Sequence, residues 1–128
     1  MIWLNIIISN SSNLAIYEQI VNQIKSAIIN KEVVAGDAMP SIRGLAKDLQ
    51  ISVITTKRAY EELEKEGLLY SVTGKGFYIC EQNTDILKEK KISMIEKHLQ
   101  DILNECKAAG LSLEDIQDMI EVLYQETE

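Results

Sequence analysis

Between Pro40 and Cys80, start and stop signals for two helices and a hairpin follow one another with almost no spare residues. Ser41 is a good N-cap for a short helix whose apolar face carries Ile42, Leu45, Ala46 and Leu49. Gln50-Ile51-Ser52 then makes a tight break, and Ser52 caps a further helix that ends before Gly67. Thr56, Ala59, Tyr60 and Leu63 share one face of it, while Val53, Thr55, Lys57, Arg58 and Glu61 lie largely off that face. Beyond Gly67, two β-prone runs, Leu68 to Val72 and Phe77 to Cys80, flank Thr73-Gly74-Lys75-Gly76 and read as a hairpin. So compact a series leaves few ways to pack.

The flanks read less densely. Trp3-Leu4-Asn5-Ile6-Ile7-Ile8 is β-prone and bounded by Ser9-Asn10-Ser11-Ser12-Asn13, which predicts a short N-terminal strand. Ile16, Ile20, Ile24, Ala27 and Ile28 recur at helical spacing and predict a first helix of about 15 residues, ending near Asn30. Gly36-Asp37 and Pro40 punctuate a loop. From Thr84 a long helix is expected, with Ile92, Ile95, Leu99, Ile102, Leu103 and Cys106 as its stripe and Gly110 as its stop. Ser112 with Asp115 resembles a capping box, and Leu111 with Ile116 a hydrophobic staple. The last helix then presents Leu113, Ile116, Met119, Ile120, Leu123 and Tyr124.

Charge separates the chain in the same place. Residues 1–80 hold eight basic and eight acidic side chains, whereas 81–128 hold five and twelve, so the net charge of −7 belongs wholly to the C-terminal part. Screening over about 8–10 Å lets a basic patch in the first part act independently of that acidity. At 128 residues the chain allows one ordinary domain or two small ones. Its apolar runs are too short for a transmembrane helix, and no secretory leader pattern is present. Two cysteines, Cys80 and Cys106, are too few for a disulfide scaffold and read as small core or interface residues. A reducing, cytoplasmic setting is expected.

The expected fold class is mainly α with a small β wing: a winged helix-turn-helix over 1–82 and a two-helix segment over 83–128. That architecture sets the helix after the turn into the DNA major groove. Small or polar side chains at its start let the backbone approach base edges, and nearby Lys or Arg neutralises phosphate. Ser52, Thr55, Lys57 and Arg58 meet both needs. Gly74-Lys75-Gly76 suits a wing tip that places Lys75 in or along a minor groove.

These residues resemble the GntR family of bacterial transcription regulators, in its small YtrA-like subfamily. The matching runs are Ile16-Tyr17-Glu18-Gln19-Ile20, Gly36-Asp37, Met39 to Ala46, Lys57 to Leu68, and Gly74-Lys75-Gly76. The resemblance implies a sequence-specific DNA-binding dimer on a pseudo-palindromic operator. It further implies a repressor, often of its own or a transporter operon, released by a small effector. It places Ser41 and Arg43 of the Pro-Ser-x-Arg run on DNA, with Thr55, Lys57 and Arg58 of the recognition helix and the glycine-flanked Lys75. Ser52-Val53-Ile54 stands where many relatives have Asn-Pro-Asn or Ser-Arg-Thr, so Val53 removes a polar reader. Thr56 replaces a usual buried Val, and Gln50 a usual Gly. The two C-terminal helices imply dimerisation, centred on Ile95, Leu99, Ile102, Leu123 and Tyr124.

Other functions compete poorly. His98 is the one histidine and reads as a surface residue; no nucleophile elbow, phosphate loop or metal-ligand set accompanies it, so neither enzyme nor cofactor is expected. A winged helix that docks a protein partner is the alternative, but docking has no need of Arg43, Lys57, Arg58 and Lys75 together.

Overall fold

In the computed structural model, which describes residues 4–127, five helices and one hairpin follow in order. They are α1 (Ile16–Ile29), α2 (Ile42–Leu49), α3 (Val53–Lys65), β1 (Leu69–Val72), β2 (Gly76–Ile79), α4 (Thr84–Ala108) and α5 (Leu113–Glu126). The chain divides into two compact units, one up to Leu87 and one from Lys88.

In the first unit α1 and α2 pack on α3. Ile20 and Ile24 of α1, Ala59, Tyr60 and Leu63 of α3, and Leu69 and Ile79 of the hairpin are essentially sealed from water. These are the α1 and α3 faces that helical spacing picks out. Tyr60 is the hinge of this packing. Its hydroxyl donates to the Pro40 carbonyl at 2.7 Å, and its ring meets Phe77 edge-on at 5.2 Å. One side chain therefore ties α3 to the approach to α2 and to the hairpin. Burial pushes the Tyr60 phenol well above its ordinary pKa, so the hydroxyl stays a donor.

Helix ends in the first unit are closed by pairs of backbone bonds that reverse the chain. After α3 the N–H of Leu68 reaches the Leu63 carbonyl and that of Gly67 the Glu64 carbonyl. α2 ends the same way through Ile51 to Ala46 and Gln50 to Lys47. Gly67 takes the left-handed conformation freely, whereas Gln50 holds it at φ 57° with a side chain attached. The turn forms without the usual Gly.

The N-terminal stretch departs from expectation. Leu4–Ile8 belongs to no strand, and Trp3 lies outside the described residues. Ile6 is buried with Leu4 and Ile8 half-buried, so the alternation is strand-like. Its partners, however, are side chains of α1. Gln23 accepts from the Ile7 N–H at 2.9 Å and donates to the Ile7 carbonyl at 2.7 Å; Gln19 does the same for Ser9 at 2.8 and 2.9 Å. Four helical residues rise about 6 Å, close to the roughly 6.6 Å of two extended ones, so the amides match the spacing of a neighbouring strand. The loop after α1 differs too. The N–H groups of Gly36 and Met39 reach the Ile79 and Phe77 carbonyls, and that of Ile79 the Asp37 carbonyl, giving the wing a third, irregular edge.

The second unit closes little. α4 has no buried residue and α5 has one, Ile116. Ser112 and Asp115 form the full capping box: Ser112 Oγ accepts from the Asp115 N–H at 3.1 Å, and Asp115 accepts from the Ser112 N–H at 2.9 Å. Hydrogen bonding from the Ser112 backbone N–H, and from its hydroxyl, holds the Asp115 carboxyl below the usual range. None of the helices is long and apolar enough to cross a membrane, among the described residues.

Candidate nucleic-acid interface

α3 begins on a closed polar knot. Ser52 Oγ accepts from the Thr55 N–H at 3.1 Å while donating to Thr55 Oγ1 at 2.7 Å. Thr56, fully buried, sends its hydroxyl to the Ser52 carbonyl at 3.1 Å. A buried hydroxyl left unpaired would cost about 1–3 kcal/mol, and this bond removes that penalty. Thr55 keeps its own O–H free to donate to a phosphate oxygen, whereas Ser52 has spent its hydrogen. Ser41 caps α2 likewise, accepting from the Gly44 N–H at 3.0 Å with its hydroxyl hydrogen to spare.

The cations stand outside the core. Arg43 on α2 is exposed and makes no ion pair or side-chain hydrogen bond among the described residues. Lys57 lies 4.0 Å from Glu61, a loose, exposed pair of little energetic weight. Arg58 is placed differently: its guanidinium lies 3.9 Å above the centre of the Tyr17 ring at the start of α1. Stacking leaves the guanidinium edge open and narrows the directions it samples. Lys25 and Glu66, at 2.7 Å, add a clamp between α1 and the end of α3.

The wing is anchored to α3 through its strands rather than its turn. Ser71 donates to Glu64 at 2.8 Å, and Phe77 rests on Tyr60. The tip turns through Gly74 at φ 77° and Gly76 at φ 99°, both in the region that disfavours a side chain. Between them Lys75 is exposed. Cys80 is half-buried at the wing's base, its thiol raised by burial and by the Glu64 charge, which makes it a poor nucleophile.

Helical spacing places Lys57 and Arg58 together on the outer side of α3, with Ser52, Val53 and Thr55 at its start; Ser41 and Arg43 belong to the start of α2, and Gly74, Lys75 and Gly76 to the wing. Two neighbours of these residues escape sequence reasoning. Tyr17 lies 41 positions from Arg58, and no local pattern links them. Ile54, at 80% exposure, is the most outward residue of the first turn of α3; a helical wheel would have found it. His98 is exposed, and no cluster of three His, Cys, Asp or Glu suited to a metal ion occurs among the described residues.

Known proteins share this arrangement. The pattern of the bacterial regulatory proteins, gntR family, matches residues 16–79. The HTH-type transcriptional repressor YtrA of Bacillus subtilis is 36% identical over 109 residues, spanning 85% of this chain and 84% of that protein. A transcriptional antiterminator from Listeria monocytogenes EGD-e superposes with a TM-score of 0.70 at 29% identity, covering 94% of this chain and 90% of that one. The AraR DNA-binding domain, solved in complex with operator ORX1, superposes with a TM-score of 0.54 at 26% identity over 60% of this chain and 96% of its own. With its helix-turn-helix, glycine-tipped wing and outward cations, the chain belongs to the gntR family of bacterial regulatory proteins and is a DNA-binding transcriptional regulator.

Proposed function

We propose that this regulator is a cytoplasmic, non-enzymatic repressor that binds a pseudo-palindromic operator as a homodimer and is released by a small effector. The observation that carries the reading is the set of exposed cations, Arg43, Lys57, Arg58 and Lys75, distributed over α2, α3 and the wing, within a stretch (1–80) whose charges balance. Each is exposed and none is held in a close ion pair, so its charge is available to an external anion. Arg43 and Thr55 are suited to phosphate, Lys57 and Arg58 to the major groove, and Lys75 to the minor groove. Repression is supported by the likeness to YtrA, a repressor by name. Dimerisation through 83–128 is supported by the apolar stripe that these helices leave in water. No comparable observation favours a protein-docking module.

Footprinting on the DNA upstream of the protein's own gene, repeated across salt concentrations, tests this. Binding should weaken steeply as salt rises. Arg58→Ala should cost about 1–3 kcal/mol and relax specificity at one position if the guanidinium reads a base; a phosphate contact would weaken all sequences alike and lower the salt slope by about one. Affinity for duplex DNA that neither salt nor Arg58→Ala alters would refute the interface.

A further inference from the structure

The first turn of α3 turns more hydrocarbon than polar surface toward solvent, with the Thr55 hydroxyl half-buried beside it. Ile54 is 80% exposed and Val53 46%. At about 100° per residue, Ile54 points roughly 170° away from the mean direction of the buried Thr56, Ala59, Tyr60 and Leu63. It therefore stands at the middle of the face a recognition helix offers to a groove, with Lys57 and Arg58 following one turn later on either side. Of the nearby hydroxyls, Ser52 has spent its hydrogen on Thr55 and Thr56 on the Ser52 carbonyl, leaving only the half-buried Thr55 with one to donate. Two branched aliphatic side chains thus lead the approach.

Hydrocarbon can satisfy neither the donors nor the acceptors on base edges. The one apolar feature of the major-groove edge is the 5-methyl group of thymine. We propose that Ile54, with Val53 beside it, reads thymine methyl groups, so that the operator half-site carries thymine where this turn meets the groove. The inference rests on the DNA-binding reading of α3. Burial of one methyl-sized group contributes about 0.8 kcal/mol, or roughly fourfold in affinity per methyl.

Selection from a random pool of duplexes with the full-length protein supplies the binding sites for the test. Each thymine of the winners is then replaced in turn by deoxyuridine, which removes the methyl and keeps the base pairing. Wild type should bind about fourfold more weakly at one or two replaced positions per half-site. Ile54→Ala or Val53→Ala should bind the thymine and deoxyuridine duplexes equally at those positions, with helical content unchanged. If replacement has no effect, or weakens wild type and both variants by the same factor, the methyl reading is overturned while DNA binding stands. If no duplex is enriched even at low salt, the DNA-binding reading itself fails, and the inference with it.

Discussion

The winged helix and the helical pair after it carry similar aliphatic stripes and use them in opposite ways. In α1 and α3 the stripe is sealed: Ile20, Ile24, Ala59 and Leu63 lose nearly all contact with water. In α4 and α5 the stripe stays wet, with Ile95, Leu99, Ile102 and Leu123 each about half exposed and Tyr124 at 81%. Amphipathicity alone thus does not make a core. Three helices and a hairpin surround one another, whereas two helices cannot enclose both of their own faces. An apolar surface of that extent on a charged, acidic segment is the basis of the proposed pairing with a second copy.

The contrast is broken most forcefully at the stripes themselves. Leu63→Ala should destabilise the winged helix by about 2–5 kcal/mol, read as a lowered denaturation midpoint, because it opens a cavity in a sealed core. Leu99→Ala should scarcely change that midpoint for the first unit but should raise the concentration at which the protein dissociates. Equal effects on the first unit's stability would erase the distinction between the two stripes.

A smaller effect of opposite sign belongs to the turn between α2 and α3. Gln50 holds a left-handed conformation that costs a side-chain-bearing residue about 1 kcal/mol. Gln50→Gly should therefore stabilise the winged helix by up to about 1 kcal/mol in chemical denaturation, leaving the second unit untouched. Loss of stability would mean that the Gln50 side chain contributes more than the turn strain costs.

The smallest effect is confined to the second unit and depends on pH. The native Asp115 carboxylate is held below its ordinary value of 3.8 by the Ser112 backbone and hydroxyl bonds. Its capping contribution is therefore complete above that ordinary value and disappears as pH falls through the lower, folded-state one. Amide shifts at Ser112 and Asp115 should report loss of the box at that acid end, with Asp115→Asn removing the pH dependence. A cap that loosens near neutrality instead would contradict this origin.

Much of this fold is legible residue by residue. Ser41, Ser52 and Ser112 announce helix starts, because a hydroxyl just before an apolar period satisfies the first free N–H groups. Thr56, Ala59, Tyr60 and Leu63 announce the buried face of α3. The N-terminal strand fails for a physical reason: alternation reports which side chains are covered, not whose groups pair the backbone, and here the partners are Gln19 and Gln23. The irregular edge of the wing at 36–39 is hidden likewise, since Gly36 and Pro40 mark a loop whether or not it lies along β2. At the site, the cations are visible as residue types, but the stack of Arg58 on Tyr17 arises only when α1 crosses α3. Val53 is visible as the loss of a polar reader, but Ile54 is not singled out; its outward aim follows from the phase of the helix.

The central claim, that the second unit's open stripe joins two DNA readers, is tested most directly by light scattering at micromolar concentration. The full-length chain should show twice its 14.5 kDa mass, and a chain ending at Leu87 should show a single copy that keeps its helical signal. A full-length monomer, or a shortened chain that still pairs, would contradict the account.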